Sequence, residues 1–170
     1  MELHPHTRPI RDPFFAALRR RRPDVDIVLL PPERPTPQPD PVDDAQVGAT
    51  LERVTDQMTH LWQAVAGADG DRPRIRLGYG PDVGTVVASA RGTTGVDDGF
   101  RRLVRLRHEL ESGGWRVGRL AGASERLTGR HHDLRVHASY AEDTGSLVVE
   151  LVSEPLPVGV GRARSLVRSA

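Results

Sequence analysis

Three histidines and an aspartate fall within the nine residues "GRHHDLRVH", from Gly129 to His137. Imidazole and carboxylate groups bind metals and transfer protons, so this cluster is the first candidate site in the chain. A metal ion requires its ligand atoms at about 2 Å. In a strand, Asp133 and His137 lie roughly 13 Å apart by the backbone rise. The spacing therefore argues against one metal ion held by both residues.

The adjacent pair His131 and His132 is a different case, because neighbouring residues at the start of a strand point to opposite sides. A metal site containing either of them needs further ligands from elsewhere in the chain, and the sequence nominates none. We interpret them as surface histidines with an incidental role, and they are the only metal candidates that we retain. No cofactor is predicted.

The last histidine of the cluster is explained by a predicted hairpin between "DLRVHASYA" and "SLVVELVS". A loop from Glu142 to Gly145 closes this hairpin in a register that matches apolar residues throughout, and a slip by one residue would bury the wrong faces. The apolar partners are Tyr140 and Leu147, Ala138 and Val149, and Val136 and Leu151. The same register places His137 opposite Glu150, a cross-strand pair that needs no reaction to explain it.

Nucleophilic catalysis has little support in the sequence. No "GxSxG" elbow occurs, and no serine is linked by its spacing to a histidine and an acid. Ser139 and His137 share a strand face about 6.6 Å apart, a pairing that chance alone supplies. The chain has no cysteine, which excludes disulfides, thiolate zinc sites and cysteine nucleophiles. An enzyme with a histidine-based site near residues 131–137 is therefore the third hypothesis.

The elements that position these residues begin with a helix predicted from Asp43 to Ala66. Its apolar residues recur at alternating spacings of four and three, which is the pattern of a heptad seam. The seam consists of Val47, Leu51, Val54, Met58, Leu61 and Val65. Two interpretations stay open: the seam packs on the protein's own core, with Trp62 widening the apolar face, or it binds a partner helix or a second copy. The seam residues are therefore the partner-binding candidates.

The remaining elements predict the fold class. A hairpin at residues 74–90 is followed by an amphipathic helix from Asp98 to Ser112, three further strands and a C-terminal helix in "GRARSLVRSA". The order indicates an α+β fold, with an antiparallel sheet of about five strands and helices packed mainly on one face. The sheet has six strands if residues 24–30 join it. The predicted buried face of the second helix comprises Phe100, Leu103, Val104, Leu106 and Leu110.

The first part of the chain is predicted to lie outside this domain. "DPFFAALRRRR" has Asp12 as a helix N-cap, and "DVDIVLL" is an apolar strand that we expect to be buried. "PPERPTPQPDP" is a stiff proline-rich spacer. We therefore divide the chain into a helix–strand arm (residues 1–30), a linker (31–42) and one α+β domain (43–170).

Charge is distributed unevenly along the chain. Residues 31–71 carry eight acids and two arginines, whereas residues 100–137 carry nine arginines and four acids. The polyanion-binding candidates in the basic region are Arg101, Arg102, Arg105, Arg116 and Arg119. Against nucleic-acid binding, aromatic residues make up only 4% of the chain and no named nucleic-acid motif occurs. All 24 cationic residues are arginine, and neither lysine nor asparagine occurs, so the coding bias of a high-GC bacterium also explains the arginines.

No apolar run approaches the roughly 20 residues of a membrane helix, so we expect a cytoplasmic protein without membrane insertion. The leading hypothesis is a non-catalytic protein–protein interaction or assembly protein that acts through the 43–66 seam and a basic helix–sheet surface. The alternative is a nucleic-acid or polyanion-binding protein that uses the arginines of residues 101–135.

Overall fold

The computed structural model describes residues 13–22, 24, 39–67, 71–120 and 125–169. The predicted strand at 24–30, the cap Asp12 and most of the proline-rich linker therefore lie outside the described residues. The chain divides into two units, residues 1–37 and 38–170, which are described separately. In the first unit, α1 (Pro13–Arg21) forms as the sequence predicts, and the Phe14 and Phe15 rings meet edge to face at 5.3 Å.

The second unit contains three helices and seven strands among its described residues. The helices are α2 (Asp44–Ala66), α3 (Gly99–Ser112) and α4 (Val160–Ser169). The strands are β1 (Arg74–Tyr79), β2 (Thr85–Gly95), β3 (Arg116–Leu120), β4 (Glu125–His131), β5 (Leu134–Ala141), β6 (Ser146–Ser153) and β7 (Leu156–Pro157). In the described part of the chain, no helix is long and apolar enough to cross a membrane.

The strands form one antiparallel sheet in the order β1-β2-β6-β5-β4-β3, and the short β7 also pairs with β2. The helices lie on one side of this sheet, so the α+β class is confirmed. Six strands make up the main sheet instead of about five. The additional strand is β4, which pairs with β3 on one side and β5 on the other.

The "GRHHDLRVH" segment is two strands and a turn, which corrects its interpretation as one strand. β4 ends at His131, the residues His132 and Asp133 form a two-residue turn, and β5 begins at Leu134. His132 has a φ of 49°, in the left-handed region that permits such a tight reversal. Asp133 therefore lies in the turn, and its carboxylate forms an ion pair with Arg53 of α2.

The predicted register of the β5–β6 hairpin is confirmed at each position. Tyr140 lies opposite Leu147, Ala138 opposite Val149, Val136 opposite Leu151 and His137 opposite Glu150. Burial alternates strictly along β5, with Leu134 and Val136 inside and Arg135 and His137 outside. The apolar pattern therefore determines which face of the sheet each of these residues occupies.

Helix α2 begins and ends at residues suited to those positions. The Asp43 carboxylate accepts a hydrogen bond from the Gln46 amide at 2.8 Å and caps the N-terminus, and Gly67 at φ 71° ends the helix. Its seam packs on β2, β6 and α3. Val47, Val54, Met58, Leu61 and Val65 are buried, and Leu51 is half-buried at the margin of the core. The structure thus corresponds to docking on the protein's own core, and partner binding through the seam would require α2 to leave the sheet.

Helix α3 is buried on a narrower face than the sequence predicts. Leu103, Leu106 and Leu110 are buried, but Phe100 is 53% exposed and Val104 is 39% exposed. The cause is the position of α3 over β3, β4 and β5, where the described sheet ends. An edge position also explains the exposure of Ile75 and Tyr79 on β1.

Candidate functional site: the open face of the sheet

Among the described residues of the 38–170 unit, the helices lie on one side of the sheet, and we call its other side the open face. Residues directly opposite in antiparallel strands share a face, so the register identifies which side chains belong to it. One row across the strands contains Arg74, Arg91, Glu150, His137 and Thr128. The next row contains Arg76, Ser89, Val152, Arg135, Arg130 and Arg116. Six strands at about 4.8 Å give these rows a length of roughly 24 Å.

Arginine dominates this open face. Its arginines are Arg74, Arg76, Arg91, Arg116, Arg126, Arg130 and Arg135, against the two acids Glu150 and Glu154. The Glu154 carboxylate forms an ion pair with the Arg130 guanidinium at 2.7 Å and lies 3.7 Å from the Arg135 guanidinium. The other five arginines form no ion pair with any described residue, so the face carries an excess of positive charge.

Two neighbouring hollows concentrate this charge. The first, of about 430 Å³, is lined by Arg72, Arg74, Arg76, Arg91, Ser89, Thr93, Asp71 and Glu150. The second, of about 330 Å³, includes Arg91, Arg126, Thr128, His137, Ser139 and Glu150 in its lining. Arg91 and Glu150 belong to both hollows, so an extended ligand could run from one into the other. Guanidinium and hydroxyl groups together are the donors that bind phosphate oxygens.

The core holds one wall of the first hollow in place. The indole Nε1 of Trp62 donates a hydrogen bond to the backbone oxygen of Asp71 at 2.7 Å. Trp62 is itself buried under β2. This contact anchors the backbone next to Arg72 and thereby couples the docking of α2 to the position of that arginine.

The predicted polyanion-binding residues do not form one surface. Arg101 and Arg105 are exposed on α3, in the helix layer, whereas Arg116 lies on the open face. Arg119 lies opposite Leu127 in the register, and its side chain is outside the described atoms. The structure therefore corrects the grouping of these residues, because helix and sheet arginines occupy different sides of the molecule.

Arg102 belongs to the structural framework. Its Nε donates to the Asp98 carboxylate and its terminal nitrogen to the Val65 carbonyl, both at 2.7 Å. The hydrogen bond from Arg102 is the main cause that holds the pKa of Asp98 below its ordinary value. Arg102 thus ties α3 to the C-terminal turn of α2 and is already occupied.

Arg74, Arg76 and Arg91 on the open face lie outside the range of residues 101–135 in which the sequence predicts the polyanion-binding arginines. Arg126, Arg130 and Arg135 lie within that range. Arg74 and Arg76 alternate with apolar residues in β1, which is a recognisable signal for one face of a strand. Arg135 follows the same alternation in β5. The alternation of apolar side chains is interrupted at Gly92 beside Arg91 and at Gly129 beside Arg130, and strand pairing brings these arginines onto one face.

The three histidines of the Gly129–His137 segment occupy different environments. His131 packs edge to face against Trp115 at 5.4 Å, and the His132 ring lies 4.3 Å from that of His131. His137 is exposed on the open face opposite Glu150. Among the described residues, no group of three or more histidine or acidic side chains is placed to hold a metal ion. His131 and His132 are therefore not joined by a third ligand there.

The left-handed turn residue His132 provides a first test of this geometry. Replacing it by glycine should raise the stability of the 38–170 unit by about 0.5 kcal/mol, since glycine adopts a positive φ without strain. Replacing it by valine should lower the stability by about 1 kcal/mol, because a β-branched side chain disfavours that backbone region. Thermal unfolding of the two variants measures this difference, and equal stabilities would contradict a left-handed turn.

Comparison with known proteins adds no family to this description. No protein-family model, curated protein or solved structure matches the chain.

Proposed function

We propose that the protein binds nucleic acid through the sugar–phosphate backbone, with the open face of the sheet as the binding surface. The observation that carries this proposal is the set of seven arginines that strand pairing places on one face, five of them without an ion pair among the described residues. Arginine presents its donors in a planar fork that matches two phosphate oxygens.

The composition of the open face favours phosphate over bases as the ligand group. Single-stranded nucleic-acid binders that contact bases use aromatic side chains as stacking platforms. None of the outward positions in the two rows of the open face is phenylalanine, tyrosine or tryptophan, and His137 is the one imidazole among them. Binding is therefore expected to depend weakly on base sequence and strongly on charge.

The open face also differs from a protein–protein interface. Such interfaces carry a desolvated apolar centre that is rich in aromatic residues. In the 38–170 unit, the large exposed hydrophobic residues Ile75, Tyr79, Val83, Phe100, Val104 and Val160 lie outside the outward rows of the sheet. The face thus offers mainly charge and hydroxyl groups, and its apolar positions Val148 and Val152 are half-buried, which favours nucleic acid over a protein partner.

Binding of a fluorescein-labelled 20-nucleotide oligothymidine, followed by fluorescence anisotropy, tests the proposal. Each neutralised phosphate of a single strand contributes about −0.7 to the slope of log affinity against log salt. The five arginines that form no ion pair with a described residue predict a slope of about −3.5, which is a loss of affinity on the order of 100-fold between 50 and 200 mM NaCl. An affinity independent of salt would contradict phosphate binding.

Two variants of equal charge locate the surface. The triple variant Arg74→Gln, Arg76→Gln and Arg91→Gln removes three open-face charges and should lower the affinity at least about tenfold. The slope of log affinity against log salt should become less steep by about 2. The control Arg101→Gln, Arg105→Gln and Arg168→Gln removes three exposed charges from α3 and α4, and should change affinity less than about twofold. Equal losses in both variants would show that net charge is responsible and would refute the assignment to the open face.

A further inference from the structure

The outer edge of β3 is open among the described residues. β3 is the last strand in the sheet order, and it pairs on one side only, with β4. The strand at the opposite edge is β1, and α4 packs against it. Backbone N–H and C=O groups on an unpaired edge can hydrogen-bond to an added strand. Residues Arg116–Leu120 therefore provide a template for an extended segment.

A small apolar hollow lies beside this edge, between α3 and the β3–β4 pair. Its volume is about 150 Å³, and its lining is Phe100, Leu103, Val104, Arg107, Val117, Gly118, Arg126 and Leu127. Leu103 and Leu127 are buried, whereas Phe100 and Val104 are the exposed residues of the α3 apolar face. An apolar cavity of roughly this volume holds a benzene-sized group, while small-molecule sites begin at about 300 Å³. The hollow therefore fits one apolar side chain better than a metabolite.

The charges around the hollow define the chemistry of its occupant. Arg126 lines the hollow and forms no ion pair with described residues, and neither does Arg116 on the neighbouring β3. Arg107, which also lines the hollow, is paired with Glu111 at 2.7 Å. A second copy that added its own β3 here would bring the same arginines together, and like charges across a strand pair are destabilising. The charge thus favours an acidic partner over self-association.

Strand geometry combines these observations. Side chains of an added strand alternate between the two faces of the sheet, so every second residue would point towards Phe100 and Val104. The residues between them would point towards the open face, beside Arg116. A segment that alternates apolar and acidic residues satisfies both environments.

We propose that the β3 edge and the adjoining α3 hollow form a docking site for an extended segment of a partner protein in which apolar and acidic residues alternate. This site lies at the sheet edge and shares Arg116 and Arg126 with the open face, but the proposal does not require that the open face binds nucleic acid. Backbone pairing along β3 supplies the alignment, and one apolar side chain fills the hollow. Arg116 and Arg126, which have no ion pair among the described residues, select an acidic sequence.

The test uses a fluorescein-labelled synthetic peptide, EVEVEFEVE, titrated with the full-length chain. The expected dissociation constant is on the order of 10 μM, and the matched peptide KVKVKFKVK should bind at least about tenfold more weakly because its charge is reversed. The acidic peptide should also slow hydrogen exchange at the β3 amides that point away from β4. Absence of binding at millimolar peptide, or equal binding of both peptides, would overturn the proposal.

Two exposed valines provide matched variants of the protein. Val104→Asp places a carboxylate at the hollow and should weaken binding of the acidic peptide at least about tenfold. Val160→Asp makes the same change at a residue of similar exposure on α4, and should leave binding within about twofold. Circular dichroism verifies that both variants fold. Equal effects of the two variants would refute the site, and so would sedimentation showing a wild-type dimer that Val104→Asp dissociates, because a second copy would then occupy the edge.

Discussion

Leu61→Asp is expected to abolish folding of the 38–170 unit. Leu61 is 1% exposed in the seam of α2, which packs on β2, β6 and α3. A carboxylate there is desolvated without a partner, at a cost of about 5 kcal/mol, comparable with the whole stability of a typical domain. Far-UV circular dichroism and urea unfolding should show a chain without the cooperative transition of the wild type.

The control for this variant is Gln63→Asp, two residues further along the same helix. Gln63 is exposed, and an exposed substitution away from special features changes stability by about 0.5 kcal/mol or less. The pair separates the two interpretations of the seam. A Leu61→Asp protein that stays folded as a monomer, beside a wild type that sediments as a dimer, would show that the seam is an interface between copies.

Gly92→Ala is expected to destabilise the same unit by about 2 to 3 kcal/mol and to lower its melting temperature by about 10 °C. A Cβ atom at this position of β2 would lie 2.4 Å from Cζ3 and 2.5 Å from Cε3 of Trp62. The indole cannot move freely, because it is buried and its Nε1 bonds to the Asp71 backbone. The ring must shift, and α2 must lift from the sheet with it.

The matched control is Gly95→Ala in the same strand, where an added Cβ meets no atom within 4 Å. Alanine there should be neutral or stabilising by about 0.5 kcal/mol, because it restricts the unfolded chain. Calorimetry gives both melting temperatures, and tryptophan fluorescence reports the displacement of Trp62. If Gly92→Ala melted like Gly95→Ala, α2 could not be seated on β2 through this ring.

Sequence patterns predicted most of the elements and one complete register. The β5–β6 pairing was predictable because two neighbouring strands with strict alternation admit one match of their apolar faces. The seam of α2 was equally visible, but the alternatives for its partner stayed open. A stripe of apolar residues shows that one side of a helix is buried, and it carries no information on what covers that side.

Strand β4 escaped prediction for a physical reason. Its inward position Gly129 has no side chain, so the apolar alternation of the segment is interrupted there. The space is filled by other residues, since a Cβ at Gly129 would lie 2.8 Å from Cγ1 of Val136 and 3.3 Å from the Trp115 ring. The apolar side chains that occupy this position of the core come from Val136 and Trp115, outside the β4 segment, so β4 itself shows no apolar alternation.

The candidate site was only partly predictable, because arginines that are close in the sequence do not all lie on the same surface of the folded protein. Residues 101–135 were grouped by position in the sequence, but the structure separates Arg101 and Arg105 on α3 from Arg130 and Arg135 on the sheet. The arginines of β1 and β2 join the latter through pairing with β6. Such a surface exists only once the sheet is assembled.

The central position of β6 determines when assembly is complete. β6 lies between β2 and β5, although it is nearly the last strand of the chain. Until residues 146–153 leave the ribosome, the inner edge of β2 has no strand to pair with, and the part of the α2 seam that packs on β6 is uncovered. Contacts between distant segments slow folding and prolong exposure of such surfaces. The nascent chain is therefore most vulnerable to aggregation before β6 appears, and a nonsense mutation upstream of Ser146 would leave it permanently in that state.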